Sequence, residues 1–420
     1  MKAWARGLAL LVITALTATG CGKGGNEDGG GTKTVHIFQF KVEISEAMSR
    51  LKVQYEKEHP GVKLDIQTVG GGSDYGASLR AKFSSGKEPD IFNIGGYREL
   101  DMWQDYLEDL SGEPWVKDVK TIAKEPMTKN GHLYGQPMNL EGYGFIYNKD
   151  LFKKAGIEQI PVTLTELEEA AKKLKAAGIV PFANGYQESF VLGNHNINLA
   201  FAYQKDPGAF IKGLNNGTEK FSDNEVVKEW SNLFDLTLKY GNDNPLTTDY
   251  NTQVTMVASG KAAMMQQGNW TQGQIDGINP KLNLGILPIP INNDPKNDKL
   301  FVGVPNNWVV NKNSPVKKEA KEFLNWLVTS ETGKSYITKE FKFIPAFDSI
   351  KGREEDLGQL GMEVLKYTDA GKALTWNWFR FPNGMSPEFA SSMQAYIGGK
   401  INKEEMYEQF QRNWDNLSAQ

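Results

Sequence analysis

The sequence predicts an α/β protein with two lobes. Apolar segments with the two-residue alternation of strands are followed by segments with the three- and four-residue spacing of helices, a succession typical of α/β layers. About 400 residues follow the N-terminal leader, and 40% of the chain is hydrophobic. A chain of that length exceeds the size at which a single core usually stops growing, so two cores are expected.

The N-terminus has the features of a secretory signal. Lys2 and Arg6 precede an apolar run at residues 8–16, which is followed by small residues and by Cys21. The run is shorter than the roughly 20 apolar residues that cross a bilayer. Residues 1–20 are therefore predicted to be a cleaved signal peptide. Cys21 is the only cysteine, so an intramolecular disulfide is excluded.

The context ATGC resembles a bacterial lipobox, in which the cysteine is lipidated, although Ala18 stands where that motif usually has leucine. The resemblance implies a lipid anchor on Cys21 at the outer face of the cell membrane. The alternative is a leader cut nearby that leaves a free thiol. Residues 21–34 are rich in glycine and charge and are predicted to be a flexible tether.

Strands and helices beyond the tether are predicted from periodicity and capping signals. Ser or Thr three residues before Glu is a capping box, which marks a helix start. Such boxes are assigned to Thr165 with Glu168 and to Ser222 with Glu225. Strands are predicted at residues 35–40, 62–66 and 89–94. The first helix is predicted from the spacing of Ile44, Met48, Leu51 and Tyr55, and it ends at Pro60.

Four blocks, in order and spacing, resemble the bacterial extracellular solute-binding proteins of sugar ABC importers, the maltose-binding-like family. They are YGQPMNLEGYGFIYNKDLFKKAGI at 134–157, VASGKAAMMQQGNW at 257–270, LGILPIPIN at 284–292 and VGVPNNWVVNKNSPVKKEAKEFLNWL at 302–327. The resemblance implies a two-lobed periplasmic-binding-protein-like (venus flytrap) fold, with discontinuous lobes joined by a three-segment hinge. Such a hinge closes over a ligand.

The same resemblance implies where the chain crosses between the lobes. The crossings are expected at residues 139–143, 284–288 and 327–334. The N-terminal lobe would then comprise residues 35–140 with 287–330, and the C-terminal lobe residues 141–286 with 331–420.

The implied function is extracellular capture of an oligosaccharide and its delivery to the permease subunits of an ABC importer, by a monomer without catalysis or cofactor. The net charge of −4 on an evenly mixed surface argues against nucleic acid as a partner. Four scattered histidines offer no ligand pair at metal spacing and are interpreted as surface or packing residues.

Tryptophans are the main candidates for sugar contact, because sugars present C–H faces to aromatic rings and hydroxyls to polar groups. Trp270, beside Gln266, Gln267 and Asn269, resembles the family's ligand-stacking position, and Trp376 resembles its C-lobe platform. Trp308 follows two asparagines and fits a ligand position and a core position equally well. Core positions are predicted for the helical tryptophans Trp103, Trp230, Trp326 and Trp414.

The polar candidates lie after strands and at the first crossing, where ligands of open α/β sheets bind. Glu141 matches an acidic position that contacts sugar in maltose-type relatives, and a hinge salt bridge is its alternative role. The other candidates are Gln39, Lys41, Asp74, Asn93, Tyr97, Tyr143 and Glu188, for each of which surface solvation is the alternative.

Two other functional classes stay open. A protein of the same fold could bind another ligand, such as a polyamine, a peptide or ferric ion. A glycoside hydrolase could use Glu141 with Glu188 or Asp74 as acid and base, although no carboxylate pair lies close together in the sequence.

Overall fold

The computed structural model describes residues 31–69 and 75–419. They form two lobes, each built on an open β-sheet flanked by helices. The predicted signal peptide, Cys21 and Asp74 lie outside the described residues.

The first lobe contains a five-stranded sheet. Its strands are β1 (Lys33–Gln39), β2 (Val62–Thr68), β3 (Ile91–Ile94), β6 (Gln136–Pro137) and β12 (Asn307–Val310), in the order β2-β1-β3-β12-β6. β1 runs parallel to both β2 and β3, so the carboxyl ends of these three strands lie at one end of the sheet. β12 is antiparallel to β3 and β6. A small hairpin of β4 (Thr128–Lys129) and β5 (His132–Leu133) lies between β3 and β6 in the sequence.

The second lobe contains a six-stranded sheet centred on one long strand. Its strands are β7 (Glu141–Asn148), β8 (Val180–Phe182), β9 (Ala262–Gly268), β10 (Leu284–Leu287), β11 (Leu300–Gly303) and β13 (Ala373–Leu374). β9 pairs with one edge of β7, and β10 and β11 share the other edge, all three antiparallel to it. β8 and β13 are the outer strands.

Helices cover both sheets. α1 and α12 pack on the first sheet, and α14 packs on β7, β10 and β11 of the second. The α-helices of the described residues are α1 (Ser45–Glu58), α2 (Tyr75–Ser84), α3 (Arg98–Trp103), α4 (Thr121–Lys124), α5 (Lys149–Lys154), α6 (Leu164–Ala176), α7 (Asn198–Ala202), α8 (Pro207–Asn216), α9 (Glu225–Lys239), α10 (Tyr250–Ala258), α11 (Gln272–Ile278), α12 (Lys317–Thr329), α13 (Glu331–Ser335), α14 (Glu354–Asp369), α15 (Met385–Ile397) and α16 (Lys403–Ser418). Two π-helical segments are Val191–Asn196 and Tyr336–Glu340.

The predicted helices form at the expected positions, but the capping residues of two of them differ from the prediction. Met48, Leu51 and Tyr55 are buried on α1, Ile44 is its buried N-cap, and α1 ends two residues before Pro60. The capping box of α6 is Thr163 with Glu166 instead of Thr165 with Glu168. Asn224 caps α9 through its side chain, in place of the expected Ser222.

The structure corrects two of the three expected crossings. β10 pairs with β7 inside the second sheet, and β11 does too, so the chain crosses between Gly303 and Asn307 and not at residues 284–288. Residues 344–348 still pair with residues 118–120 and 140, because Phe347 bridges Val119 and Lys120 N–H donates to Ala346 O. The last crossing therefore falls between these residues and α14 instead of at residues 327–334.

Buried apolar side chains fill both lobes. One cluster includes the first sheet and one face of the second, where Ile146 of β7 points. The preceding residue, Phe145, points into a separate cluster on the other face of the second sheet, because successive side chains of a strand point to opposite faces. The core predictions for Trp103, Trp230, Trp326 and Trp414 are confirmed, since all four are buried.

Candidate functional site

The two lobes meet where β1 ends and β7 begins. Lys41 follows β1, and its Nζ donates a hydrogen bond of 2.7 Å to Oε1 of Glu141, the first residue of β7. Both side chains are about nine-tenths buried. Asn139 Nδ2 donates to the same carboxylate oxygen at 3.3 Å. Glu141 therefore takes part in the hinge salt bridge that was the alternative to its predicted role as a hydroxyl acceptor.

Gln39 and Asn93 shape the first-lobe side of this junction. Gln39 Oε1 accepts from Lys41 N–H at 2.8 Å, and its Nε2 donates to Lys41 O and to Thr68 Oγ1. Asn93 Oδ1 accepts from Phe40 N–H, and its Nδ2 donates to Asn307 O. Both side chains are fully buried and are used by their own lobe. They hold the main chain before Lys41 instead of reaching a ligand, which corrects their predicted role.

Five aromatic side chains of the second lobe lie together, and we call them the aromatic wall. They are Tyr143, His195, Trp270, Trp376 and Trp378. The ring centres of Trp376 and Trp378 are 4.5 Å apart and stacked, and His195 lies 5.1 Å from Trp270 and 5.5 Å from Trp378. Trp270 and Trp378 are partly exposed, whereas the other three are buried. The wall can therefore offer two indole surfaces to a ligand.

Tyr143 and Trp376 support the wall from behind. The Tyr143 ring is stacked between His195 and Phe301, and its hydroxyl donates to His195 O at 2.9 Å. Its prediction as a contact residue is wrong, because it has no exposed surface. Trp376 is also buried, and its ring lies against Gly303, where an added Cβ would approach the indole to 2.5 Å.

His195 was not predicted from the sequence as a site residue. It lies in the π-helical segment Val191–Asn196 and is buried among aromatic rings, with Phe190 at 5.5 Å. Burial lowers the pKa of its imidazole to about 3, so the ring is neutral at physiological pH. The widened turn that places it has no periodic signal, and π-helical turns occur often at functional sites.

Several buried polar atoms of this region have no hydrogen-bond partner within the described part of the chain. They are Asn139 Oδ1, His195 Nδ1, Trp376 Nε1 and Asn377 Oδ1. An unpaired buried polar group costs free energy, so a native structure usually leaves one only where a water or a ligand bonds to it.

A cavity of about 200 Å³ lies between the first-lobe junction and the wall. Lys41, Asn139, Glu141, Asn269, Trp270 and Gln272 line it. A larger cavity of about 570 Å³ lies elsewhere, against Tyr240 and the edge strand β8. We take the smaller one as the candidate site, because it combines an aromatic ring with convergent polar groups and lies between the lobes.

The remaining predicted residues lie apart from this cavity. Trp308 is buried on β12, opposite Asn93 of β3, so it is a core residue. Glu188 Oε1 accepts from Tyr250 N–H at the start of α10, which gives it a capping role. Tyr97 lies on the first lobe, where its hydroxyl accepts from Arg380 of the second lobe at 3.1 Å.

Across residues 31–69 and 75–419, no group of three or more His, Cys, Asp or Glu side chains is arranged to hold a metal ion. In the same residues, no helix combines the length and the apolar character needed to cross a membrane.

Comparison with known proteins identifies the family. The sequence is 24% identical over 387 residues to the multiple sugar-binding protein of Streptococcus mutans, covering 89% of each chain. It is 25% identical over 337 residues to the melibiose/raffinose/stachyose-binding protein MelE of Bacillus subtilis, covering 77% of each chain. The fold matches that of RafE in complex with raffinose, with a TM-score of 0.78 at 23% identity, over 92% of this chain and all of the other.

These similarities confirm the predicted two-lobed α/β fold of solute-binding proteins. Residues 39–334 match the sequence profile described as bacterial extracellular solute-binding protein. That stretch is well over half of the chain and contains the strands of both sheets except β13 and all but the last residue of β1. The chain therefore belongs to the bacterial extracellular solute-binding protein family.

Proposed function

We propose that the protein captures an oligosaccharide outside the cell and delivers it to the permease subunits of an ABC importer, without changing it chemically. The observation that carries this proposal is the aromatic wall beside buried polar groups. Trp270 and Trp378 offer indole faces on which the C–H faces of sugar rings can pack. The polar side chains of Asn139, Asn269 and Gln272 line the cavity beside Trp270 and can bond to hydroxyls.

The named relatives support an oligosaccharide over other ligands. One is named for melibiose, raffinose and stachyose, and one solved relative contains raffinose. The two partly exposed tryptophans favour a ligand of two or more sugar units. A disaccharide has about 23 non-hydrogen atoms, and at about −0.3 kcal/mol for each atom its dissociation constant would be micromolar. That affinity suits capture followed by release.

A thermal-shift screen of the purified domain tests the proposal. Millimolar melibiose, raffinose and stachyose are compared with monosaccharides, a polyamine and a short peptide. A ligand that binds only the native state at 100 times its dissociation constant stabilises it by about 2.7 kcal/mol. We expect at least one oligosaccharide to raise the melting temperature. A shift with the polyamine or the peptide alone would contradict the proposal, and so would shortening of the sugar during incubation.

The lipid anchor is a separate part of the proposal. It is supported by the leader, the single cysteine at position 21 and the glycine-rich segment after it. We expect Cys21→Ser to leave folding intact and to move the protein from the membrane fraction to the soluble fraction, because acyl chains supply the membrane affinity. Cell fractionation with detection of the protein measures this. A variant that stays with the membrane would contradict the anchor.

A further inference from the structure

One arginine of the second lobe reaches across to the first lobe. Arg380 Nη2 donates to the Tyr97 hydroxyl at 3.1 Å and also to Glu125 Oε1. The guanidinium carbon lies 4.4 Å from the centre of the Tyr97 ring, within the range of a cation–π contact. We call these three residues the Arg380 contact. It joins the lobes through an ion pair, a hydrogen bond and a stacked ring.

The second-lobe side of the Arg380 contact continues from the aromatic wall. Arg380 ends the short 3₁₀ turn Trp378–Arg380, only two residues after Trp378. Between them, Phe379 lies against the first lobe, because a Cβ added at Gly95 would come within 2.5 Å of its ring. The Trp378 ring and the Arg380 guanidinium are therefore carried by the same short turn, which packs on the first lobe through Phe379.

The first-lobe side is held firmly in place. Tyr97 has φ of 50°, a left-handed conformation that is uncommon for a residue with a side chain. Its N–H donates to Pro126 O at 2.7 Å. Gly96, at φ 92°, lies so close to Pro126 that a Cβ there would meet the carbonyl oxygen at 2.5 Å. This packing keeps Tyr97 beside Glu125, the residue before Pro126. Strained backbone of this kind is often found at functional sites.

We propose that Arg380 is a positioning residue for ligand binding, which holds the lobes in the arrangement where the aromatic wall faces the first-lobe junction. The contact belongs only to that arrangement, so its loss lowers the fraction of molecules that are ready to bind. The apparent affinity falls in proportion to that fraction. Because the fraction is a property of the protein, every ligand must lose the same factor. A residue that touches the ligand would instead change the order of preference among ligands.

The inference rests on the proposed function, because its experiment measures the affinity for an oligosaccharide. Affinities of the oligosaccharides found by the thermal-shift screen are measured by titration calorimetry for the wild type, Arg380→Ala, Arg380→Lys and Glu125→Gln. We expect Arg380→Ala to lower the affinity for each sugar by the same factor, about tenfold. Arg380→Lys should restore part of the loss, because it keeps the ion pair but not the planar stack. Arg412→Ala, at an exposed arginine of α16, is the control and should have no effect.

The salt dependence of the affinity is a second measurement. A residue with a purely structural role would not change it. Wild-type affinity for a neutral sugar should weaken between low salt and 0.5 M NaCl, since salt screens the partly exposed pair of Arg380 and Glu125. The affinity of Arg380→Ala should depend less on salt, because only the pairs of Lys41 with Glu141 and of Lys120 with Asp369 then remain between the lobes. Glu125 is half-exposed, so Glu125→Gln should fold normally. It removes the same ion pair and can replace Arg380→Ala in the experiment if that variant folds poorly.

Three results would overturn the inference. They are unchanged affinity in Arg380→Ala and Glu125→Gln, a changed order of preference among sugars, and equal salt dependence in wild type and variant. If the wild type binds none of the sugars, the proposed function fails but the inference is still tested. The radius of gyration of the free protein should then be larger for Arg380→Ala than for wild type, and equal values would contradict the contact.

Discussion

Two tryptophans with similar neighbours in the sequence have different surroundings in the structure. Trp270 and Trp308 each follow an asparagine and further amide side chains. Trp270 lies just after β9 and is partly exposed at the cavity between the lobes. Trp308 lies within β12 and is 3% exposed. Amide neighbours therefore do not distinguish a ligand-facing ring from a core ring, because exposure depends on which strand the residue occupies and on what covers that strand.

Replacing Trp270 by alanine should reduce binding more than stability. We expect oligosaccharide affinity to fall by about 1 to 3 kcal/mol, because the ring contributes chiefly to the ligand. Trp308→Ala is the matched comparison and should lower the free energy of unfolding by roughly 3 to 5 kcal/mol. Titration calorimetry and urea unfolding measure the two quantities. A Trp270→Ala variant that loses several kcal/mol of stability and binds normally would show that this ring belongs to the core.

His195 should make the folded protein sensitive to acid. Burial lowers the pKa of its imidazole from 6.5 to about 3, so below pH 6.5 the unfolded chain takes up a proton that the folded protein does not. The stability contributed by the neutral ring is complete above pH 6.5 and is lost as the pH falls. Between pH 7 and pH 5, the wild type should lose about 2 kcal/mol more than His195→Phe. Urea unfolding at both pH values measures this, and parallel pH dependence of the two proteins would contradict it.

At the scale of elements, a strand end in the second sheet holds part of the aromatic wall. Gly303 ends β11 and pairs with Glu141 of β7, directly beneath the Trp376 indole. A methyl group at Gly303 would overlap that ring, which stacks on Trp378. The position of the wall thus depends on a residue without a side chain.

Gly303→Ala should therefore displace Trp376 and weaken ligand binding. We also expect a loss of about 1 to 3 kcal/mol in the free energy of unfolding from overpacking. Gly277→Ala on α11 is the control, because nothing lies within 4 Å of its added Cβ. It should leave binding unchanged and stabilise the helix by up to about 1 kcal/mol. Wild-type affinity in Gly303→Ala would show that the ring is not held as described.

The elements also show how far the sequence predicts this fold and site. The spacing of its apolar residues predicts α1, because a helix with that spacing places them on one buried face. In contrast, TLTELEE contains two overlapping capping boxes, and both satisfy the spacing rule. The structure uses Thr163 with Glu166, while Glu168 accepts from Tyr240, the residue that follows α9. Local pattern cannot choose between the boxes, because a distant contact decides.

The crossings and the site were harder to predict for the same reason. LGIL of β10 is wholly apolar and fits any buried strand, and only its pairing with β7 assigns it to the second lobe. Of the proposed site residues, Lys41, Glu141 and Trp270 line the cavity between the lobes. His195 and Arg380 contact residues that are distant in sequence, so no motif marks them.

At the scale of the whole molecule, the two lobes, each with its own sheet, are joined by three crossings and by side-chain contacts. These contacts include the buried pair of Lys41 with Glu141, the pair of Lys120 with Asp369, the Arg380 contact, and the apolar cluster that includes the first sheet and one face of the second. A ligand that touches both lobes adds free energy only to the arrangement in which they are together, so it shifts the population toward that arrangement. We therefore expect an oligosaccharide to be held between lobes that close on it.

Small-angle X-ray scattering of the free protein and of the protein saturated with an oligosaccharide measures whether the lobes close around the ligand. We expect the radius of gyration of the free protein to exceed the value calculated from the structure, because unliganded lobes also sample open arrangements. Saturating sugar should reduce it to the calculated value, and the sugar should be recovered intact. An unchanged radius of gyration at a sugar concentration that raises the melting temperature would contradict closure around the ligand.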